Sequence, residues 1–125
     1  MINKEILLAE ALSVLNPRDL SEDASCASVA AALVTDKGNI YRGVCIDVPC
    51  SLGFCAEHSA IASMLTAGES RIAAIIAVTE NEKILPPCGR CRELMYQVNH
   101  GNMDTVVFLS EGSRTLKELL PEVWN

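Results

Sequence analysis

The sequence predicts an α/β fold in which helices pack on both faces of a mixed β-sheet, and three observations support this class. Segments with the pattern of strands alternate along the chain with segments that have the pattern of helices. The segment 71–79 (RIAAIIAVT) is apolar throughout, as expected of a strand covered on both faces. The chain has 125 residues, half of them hydrophobic, so we expect residues 1–125 to form one domain with a buried core.

The first part of the chain is predicted to contain one helix and one β-hairpin. Residues 2–15 have the pattern of an amphipathic helix, which the pair Asn16-Pro17 ends. The predicted buried stripe of this helix contains Ile2, Ile6, Ala9 and Leu12. The apolar runs 25–35 and 40–48 flank the polar turn 36–39, and this order is typical of a hairpin.

The remainder is predicted to alternate between helices and strands. In chain order we expect a helix at 55–67, a strand at 71–79, a helix at 88–99, a strand at 105–110 and a short helix at 116–120. Gly68 stops the first of these helices, whose buried residues are predicted to be Ile61, Met64 and Leu65. The pair Pro86-Pro87 precedes the next helix, a place that proline tolerates well.

The acidic composition limits the possible partners. The formal net charge is −6, from 16 acidic and 10 basic residues. A nucleic acid polymer needs a basic surface against its phosphates, so RNA or DNA is not expected as a partner. Charges interrupt the apolar residues of the N-terminal segment MINKEILLAEALSVLN, and no apolar run has the roughly 18–20 residues of a membrane span. We therefore expect a cytoplasmic protein, in which clustered cysteines serve as metal ligands or buried thiols.

Two short segments carry residues with evident chemistry: Cys55-Ala56-Glu57-His58 and Pro87-Cys88-Gly89-Arg90-Cys91. Together they match the three-cysteine form of a zinc-deaminase signature, in which one ligand precedes a glutamate by two residues and a later P-C-x-x-C supplies two more. Each segment lies at a predicted helix start, where free N–H groups stabilise thiolates. The 32 residues between Cys55 and Cys88 hold one helix and one strand, a length that returns the second helix start beside the first.

The donor set predicts a catalytic metal. Thiolates of Cys55, Cys88 and Cys91 leave the fourth tetrahedral position of Zn²⁺ open for water, whose pKa the metal lowers toward about 7. Positions i and i+2 of a helix point apart, so Cys55 and Glu57 converge only at a helix end. We expect Glu57 to take the proton of the water, deliver one to the ring N3 of a cytosine and protonate the leaving ammonia.

These residues resemble the cytidine deaminase superfamily, specifically the small three-cysteine branch that includes cytidine deaminase and blasticidin-S deaminase. The likeness runs from about Ser21 to Trp124 and is strongest at residues 84–95 (ILPPCGRCRELM). It implies a three-layer α/β/α sandwich around a five-stranded sheet, one zinc ion per chain and a homotetramer. It also implies hydrolytic deamination of a free cytosine nucleoside, with the main-chain N–H of Ala56 on the base carbonyl.

The chain departs from the pattern of the family at three places. Cys45 and Asp47 stand where cytidine deaminases carry an asparagine and a glutamate that hold the ribose hydroxyls, so one sugar contact is expected to be weaker. His58 stands where the cytidine branch has an arginine, and it offsets thiolate charge only when protonated. The stretch between Ser110 and Leu116 is short, so the fifth strand is expected to be clipped or absent. The substrates expected are cytidine or deoxycytidine first and a blasticidin-S-like nucleoside second.

Several alternatives remain at the level of sequence. The cysteines could form a redox pair with one stray thiol, or a closed structural site completed by Cys45 or Cys50; neither needs Glu57 at its place. A catalytically silent zinc protein of the same fold, acting in assembly or ligand sensing, is the alternative function. The other cysteines (Cys26, Cys45 and Cys50) are interpreted as small buried residues. Further interpretations are a capping cation for His100, and surface charge or a role near the metal or an interface for Arg90 and Arg92.

Overall fold

One mixed β-sheet organises the computed structural model, which describes residues 3–125. The strands within that range are β1 (Arg18–Asp19), β2 (Ser25–Thr35), β3 (Ile40–Asp47), β4 (Ile72–Thr79), β5 (Lys83–Ile84), β6 (Val106–Phe108) and β7 (Ser113–Thr115). The helices are α1 (Lys4–Leu12), α2 (Ala56–Thr66), α3 (Gly89–Val98) and α4 (Leu116–Leu119), with 3₁₀ turns at Glu80–Glu82 and His100–Asp104. None of these helices is long and apolar enough to cross a membrane.

The sheet has the strand order β3-β2-β4-β6-β7, in which β4 and β6 are parallel and the other neighbours are antiparallel. The two-residue strands β1 and β5 extend it by pairing with the ends of β2 and β4. The predicted α/β class with a mixed sheet is therefore confirmed. The sheet has more strands than the five expected, and the strand after Ser110 is present but clipped to three residues.

Helices cover both faces of the sheet, as the alternation of side chains in β2 shows. Ala31 and Leu33 point into a core shared with α2, α3 and α4, whereas Ala30 and Ala32 point into a core shared with α1. Strand β4 alternates in the same way and is buried along nearly its whole length, as the apolar run predicted. The result is a three-layer α/β/α sandwich with the larger core on the side of α2 and α3.

Helix α1 is shorter than predicted and buries a different stripe. Its buried residues are Leu7 and Ala11, while Ile6 is 54% exposed and Ala9 is also exposed. The prediction of Ile6 and Ala9 as buried was wrong, because the helix is apolar on several sides and periodicity alone did not select the face. Leu12 is partly buried, and Ile2 lies outside the described residues.

The predicted hairpin and the later helices and strands are present with end shifts of at most two residues. The hairpin of β2 and β3 turns at residues 36–39, as expected. Helix α2 ends just before Gly68, whose φ of +92° is the left-handed conformation that glycine adopts without strain. Ile61 and Met64 are buried as predicted, but Leu65 is 43% exposed, so its prediction was wrong.

Close approach between α2 and β3 fixes the position of the helix that starts at the site. A Cβ atom on Gly43 of β3 would lie 2.3 Å from the main-chain nitrogen of Ala60 in α2. Any side chain at this position would therefore push the helix away from the sheet. The glycine lets α2 rest directly on β3, which carries Cys45 and Asp47 at its far end.

Asn102 ties the far end of α3 to the start of β4. Its side chain is fully buried and accepts the N–H of Ile72 at 2.8 Å. The same side chain donates to the carbonyl oxygens of Ser70 and Met95, at 3.0 Å and 2.9 Å. All three main-chain partners would lose a hydrogen bond if this side chain were absent.

Asn102→Ala is therefore expected to lower the free energy of unfolding by roughly 3 kcal/mol, because buried main-chain groups are left without partners. Urea denaturation of the purified protein measures this change. The matched control is Asn125→Ala at an exposed position, which should stay within about 0.5 kcal/mol of the parent. A decrease in unfolding free energy below about 1 kcal/mol for Asn102→Ala would contradict the claim that Asn102 ties α3 to β4.

Candidate active site and metal centre

Three thiols converge where α2 and α3 begin. Cys55 and Cys88 are the residues that precede the first turns of these helices, and the side chain of neither one caps its own helix. The sulfur of Cys88 lies 3.5 Å from that of Cys55 and 3.5 Å from that of Cys91. All six cysteines are free thiols. The structure thus brings together the three cysteines that the sequence singled out.

The spacing of the sulfurs fits zinc. Tetrahedral Zn²⁺ with Zn–S bonds of about 2.3 Å separates two thiolate sulfurs by about 3.8 Å. The two contacts at 3.5 Å are close to this separation, and Cys55 and Cys91 also lie within 4.8 Å of each other. Small adjustments of rotamers would place the three sulfurs around one ion. Soft thiolate ligands at this spacing are typical of zinc sites.

His58 is a further possible donor at the same place. Its Nδ1 lies 3.4 Å from the sulfur of Cys91, and Cys55, His58 and Cys91 form a cluster whose donor atoms are all within 4.8 Å of one another. Two sets of three protein ligands are therefore compatible with the geometry, one with Cys88 and one with His58. Among residues 3–125, this cluster of possible metal donors includes neither Cys45 nor Cys50.

The electrostatics differ between the three thiols. Burial raises the pKa of Cys55 and raises that of Cys91 far above its usual range, with neighbouring thiols and Glu57 adding to the effect. Burial acts in the same direction on Cys88, but hydrogen bonds outweigh it, those from main-chain N–H groups of Cys91 and Arg90 among them. The pKa of Cys88 is consequently below its usual value. Free N–H groups at the start of α3 contribute to this lowering, as predicted for a thiol at a helix start, whereas Cys55 at the start of α2 shows the opposite shift.

Glu57 is a buried carboxyl group beside the thiols. It lies in the first turn of α2 and is only 5% exposed, and burial raises its pKa above the usual value. A raised pKa makes the Glu57 carboxylate a stronger base than a solvent-exposed one. The structure thus places the Glu57 carboxyl group beside the thiols, and the proton-carrying role of Glu57 stays a prediction.

A cleft of about 550 Å³ opens above the thiols and is bordered by β2, β3, the loop before α2 and the segment 85–90. Cys45, Asp47, Ala56, Glu57, Cys55 and Cys88 all line it, while Cys91 is fully buried beneath. This volume lies within the range of small-molecule sites, about 300–1,000 Å³. The only basic side chain that lines the cleft, within the described residues, is Arg90.

Several lining residues were not predicted from the sequence, among them Ser28, Phe54 and Arg90 as a wall of the cleft. Ser28 reaches the cleft because strand β2 is irregular there, and no residue pattern announced this. Phe54 stacks on His58 with ring centroids 6.3 Å apart. Its position as an aromatic residue directly before Cys55 was a signal that could have found it.

The structure confirms some of the interpretations of the other cysteines and of the basic residues and contradicts others. Cys26 is buried as expected, but Cys50 is exposed, so the interpretation of Cys50 as a buried thiol was wrong. His100 stacks on Tyr96 with ring centroids 4.3 Å apart. Arg92 is more than surface charge, because it donates to the carbonyl oxygens of Pro87 and Leu119 at 2.8 Å and 3.0 Å. It thereby ties α4 to the segment that carries Cys88.

Fold and site together define a class of protein: an α/β/α sandwich whose cleft ends on a zinc-type donor set with a buried carboxyl group beside it. Residues 3–110 match the model of a protein family described as the cytidine and deoxycytidylate deaminase zinc-binding region. The chain therefore belongs to the cytidine deaminase family, and its metal is zinc.

Relatives and solved structures agree with this membership. Cytidine deaminase from Mycobacterium tuberculosis is 30% identical over 98 residues, which cover 78% of this chain and 72% of that protein. Cytidine deaminase from Halalkalibacterium halodurans is 33% identical over 99 residues, with 74% of each chain covered. The crystal structure of the Mycobacterium tuberculosis enzyme superposes with a TM-score of 0.84 at 26% identity, covering 100% of this chain and 99% of the other. The structure of the Mycobacterium leprae enzyme gives 0.83 at 29% identity, with 98% and 100% covered.

Proposed function

We propose that this chain is a zinc-dependent hydrolase that converts the 4-amino group of a free cytosine nucleoside to a 4-oxo group and releases ammonia. The observation that carries the proposal is the buried Glu57 carboxyl group next to three convergent thiols at the floor of a nucleoside-sized cleft. A catalytically silent zinc site does not need a buried carboxyl group beside its thiols. The similar proteins described above are named cytidine deaminases, in line with this activity.

The proposed ligands are Cys55, Cys88 and Cys91. Cys88 contacts both other sulfurs, and its lowered pKa favours the thiolate form that binds metal. His58 contacts only the sulfur of Cys91 among the three, at 3.4 Å. We assign His58 to a hydrogen bond on that thiolate, which orients the ligand and offsets part of its charge.

When bound, zinc supplies Lewis-acid activation that lets a water molecule lose a proton near neutral pH. Glu57 accepts this proton and donates one to ring N3, which prepares C4 for attack by the water oxygen. Glu57 then takes the proton from the new hydroxyl group on C4 and passes it to the amino nitrogen as the C4–N bond breaks, so that the 4-oxo group forms and ammonia leaves. Its burial suits both duties, because a raised pKa makes the carboxylate a stronger base and keeps the acid form accessible.

The base and its substituent are held by groups at the rim of the same cleft. Ala56 is the first residue of α2, so its N–H has no partner within the helix and is free to donate to the base carbonyl. Asp47 lies exposed at the end of β3 and accepts a hydroxyl hydrogen bond from the N1 substituent. Cys45 lines the cleft beside Asp47, and its thiol is expected to make the weaker of the two contacts with the N1 substituent.

Cytidine and deoxycytidine are expected to be the best substrates, with a blasticidin-S-like nucleoside second. Asp47 and Glu57 give the cleft an acidic balance that tolerates a cationic substituent, and Arg90 alone is too little to hold a phosphate. The test compares kcat/KM for cytidine, deoxycytidine, blasticidin S, cytosine and CMP by loss of absorbance. If CMP or free cytosine exceeds cytidine by about tenfold or more, which is over 1 kcal/mol, the assignment of Asp47 and Cys45 is wrong.

We also expect the chain to form a homotetramer, or at least a dimer. Two large apolar side chains, Leu52 and Trp124, are 71% and 82% exposed. Exposed apolar surface of this kind favours association. Leu52 adjoins Ser51 and Gly53 of the cleft wall, so a neighbouring chain placed there would also narrow the cleft. Light scattering should give a mass of four chains, and a monomer at micromolar concentration would contradict this expectation.

A further inference from the structure

Strand β2 contains an irregular segment next to the cleft. Cys26 pairs with Ile46 and Ala30 pairs with Val44, so residues 27–29 of β2 lie opposite the single residue Cys45 of β3. Ala27 is fully buried and has φ of +63°, the left-handed region that alanine rarely adopts. This bulge brings Ser28 and Val29 to the wall of the cleft. Bulges at such places re-aim side chains toward a site.

The thiol of Cys45 fills the gap that the bulge leaves in the hydrogen bonding. Its sulfur accepts the main-chain N–H of Val29 at 3.3 Å and contacts the hydroxyl of Ser28 at 3.4 Å. The same thiol donates to Oδ2 of Asp47 at 3.5 Å. Cys45 is buried, so these contacts use its hydrogen-bonding capacity inside the protein. From the opposite side, Thr79 donates to the main-chain oxygen of Ser28 at 2.7 Å.

Two side chains on the wall of the cleft, Ser28 and Asp47, keep oxygen lone pairs for a ligand after these contacts are made. Ser28 Oγ and Asp47 Oδ2 both contact the sulfur of Cys45, at 3.4 Å and 3.5 Å. The distance between the two oxygens is therefore at most the sum of these two contacts. When the Ser28 hydroxyl donates its hydrogen bond to the sulfur of Cys45, its oxygen lone pairs remain for a ligand in the cleft. The Asp47 carboxylate has its second oxygen for the same purpose. The wall therefore presents two acceptors, which match a ligand that donates two hydrogen bonds and disfavour an anion.

We propose that Ser28 and Asp47 together bind two hydrogen-bond-donating groups of the N1 substituent, with Cys45 as the positioning residue that holds both oxygens. This inference rests on the proposed function, since it takes the ligand of the cleft to be a cytosine nucleoside. The hydroxyl groups of a sugar and an amino group on a sugar both donate hydrogen bonds, so either kind of group meets this requirement. Ser28 is thus a specificity-determining residue on a strand that the sequence did not connect with the substrate.

The experiment measures kcat and KM for cytidine and for dideoxycytidine, which lacks the two ring hydroxyls of ribose. Ser28→Ala is expected to raise KM for cytidine about fivefold, the effect of one neutral hydrogen bond, and to leave kcat and the KM for dideoxycytidine within about twofold. The matched control is Ser63→Ala, at an exposed position of α2 outside the cleft, which should change neither substrate. An amino-sugar analogue of cytidine distinguishes the two kinds of donor: retention of the Ser28 effect identifies an amino group as an accepted partner, and its loss identifies hydroxyls.

Cys45 variants test the positioning role. Cys45→Ala should abolish the preference for cytidine over dideoxycytidine, and Cys45→Ser, which still accepts the Val29 N–H and contacts both oxygens, should restore most of it. The inference is overturned if Ser28→Ala raises KM equally for both substrates, or if Cys45→Ala keeps the preference.

Calorimetric binding of uridine and dideoxyuridine to the zinc-loaded protein separates this inference from the proposed activity. Tighter binding of uridine that Ser28→Ala removes supports the inference even if no ammonia is released. Active wild-type protein that binds both products equally overturns the inference and leaves the activity standing. Zinc-loaded protein that binds neither product and also deaminates neither substrate overturns both.

Discussion

Glu57→Gln is expected to reduce kcat for cytidine by about 10³-fold or more while the protein keeps its fold and its zinc. The variant keeps the size of the side chain but removes the group that accepts and donates protons, a contribution typically worth about 10²–10⁴-fold for each transfer. One residue serves several transfers in the proposed mechanism, so the loss should lie at the upper end of this range. Ammonia release and loss of absorbance measure the rate, and metal analysis confirms one zinc ion per chain.

Two controls make the Glu57 result specific. Glu93→Gln changes a carboxyl group of α3 that does not line the cleft, and should leave the rate within about twofold. Urea denaturation of Glu57→Gln should show no loss of stability, because the substitution removes a buried charge without leaving a cavity. A Glu57→Gln protein with a tenth or more of the wild-type kcat would exclude Glu57 as the proton carrier.

Substitution of the thiols has the second large expected effect. Cys88→Ser should hold less than about a tenth of a zinc ion per chain after dialysis, and should lose activity in proportion, because three protein ligands are the minimum for a stable catalytic site. His58→Ala should keep its zinc with an affinity reduced about 10–100-fold, as expected of a group that only orients a ligand. Zinc content by mass spectrometry and competition with a chelator measure both variants.

The pair of variants separates the two ligand sets that the geometry permits. If His58→Ala loses zinc and Cys88→Ser retains it, the ligands are Cys55, His58 and Cys91. Cys50→Ser serves as the matched control, since Cys50 is an exposed thiol outside the donor cluster and should leave the zinc content unchanged. Loss of zinc from Cys50→Ser would contradict the assignment of the metal to the α2 and α3 helix starts.

The sequence was informative where local chemistry decides structure. Helix starts at Cys55 and Cys88 follow from adjacent turn and proline signals, and the two thiol segments converge because one helix and one strand separate them. The all-apolar run at 72–79 predicted a strand buried on both faces. These features depend on residues within a few positions, so their patterns were sufficient.

Other features depend on contacts between distant residues and left no local pattern. Strands β1 and β5 have two residues each and exist only through pairing with β2 and β4. The bulge at residues 27–29 places alanine in a left-handed conformation, and no residue preference announces that geometry. The exposed side of α1 was misassigned because the sheet, not the helix, selects the buried stripe. For the same reason Ser28 was not recognised as part of the cleft.

The central claim, hydrolysis at C4 on a zinc site served by Glu57, is tested most directly by the fate of the solvent oxygen. Zinc-loaded protein is incubated with cytidine in water enriched in oxygen-18, and the product is analysed by mass spectrometry together with the ammonia. The account predicts uridine that carries one oxygen-18 atom at C4 and an equal amount of ammonia, both absent with Glu57→Gln. Failure of the zinc-loaded protein to release ammonia, or uridine without the solvent label, would contradict it.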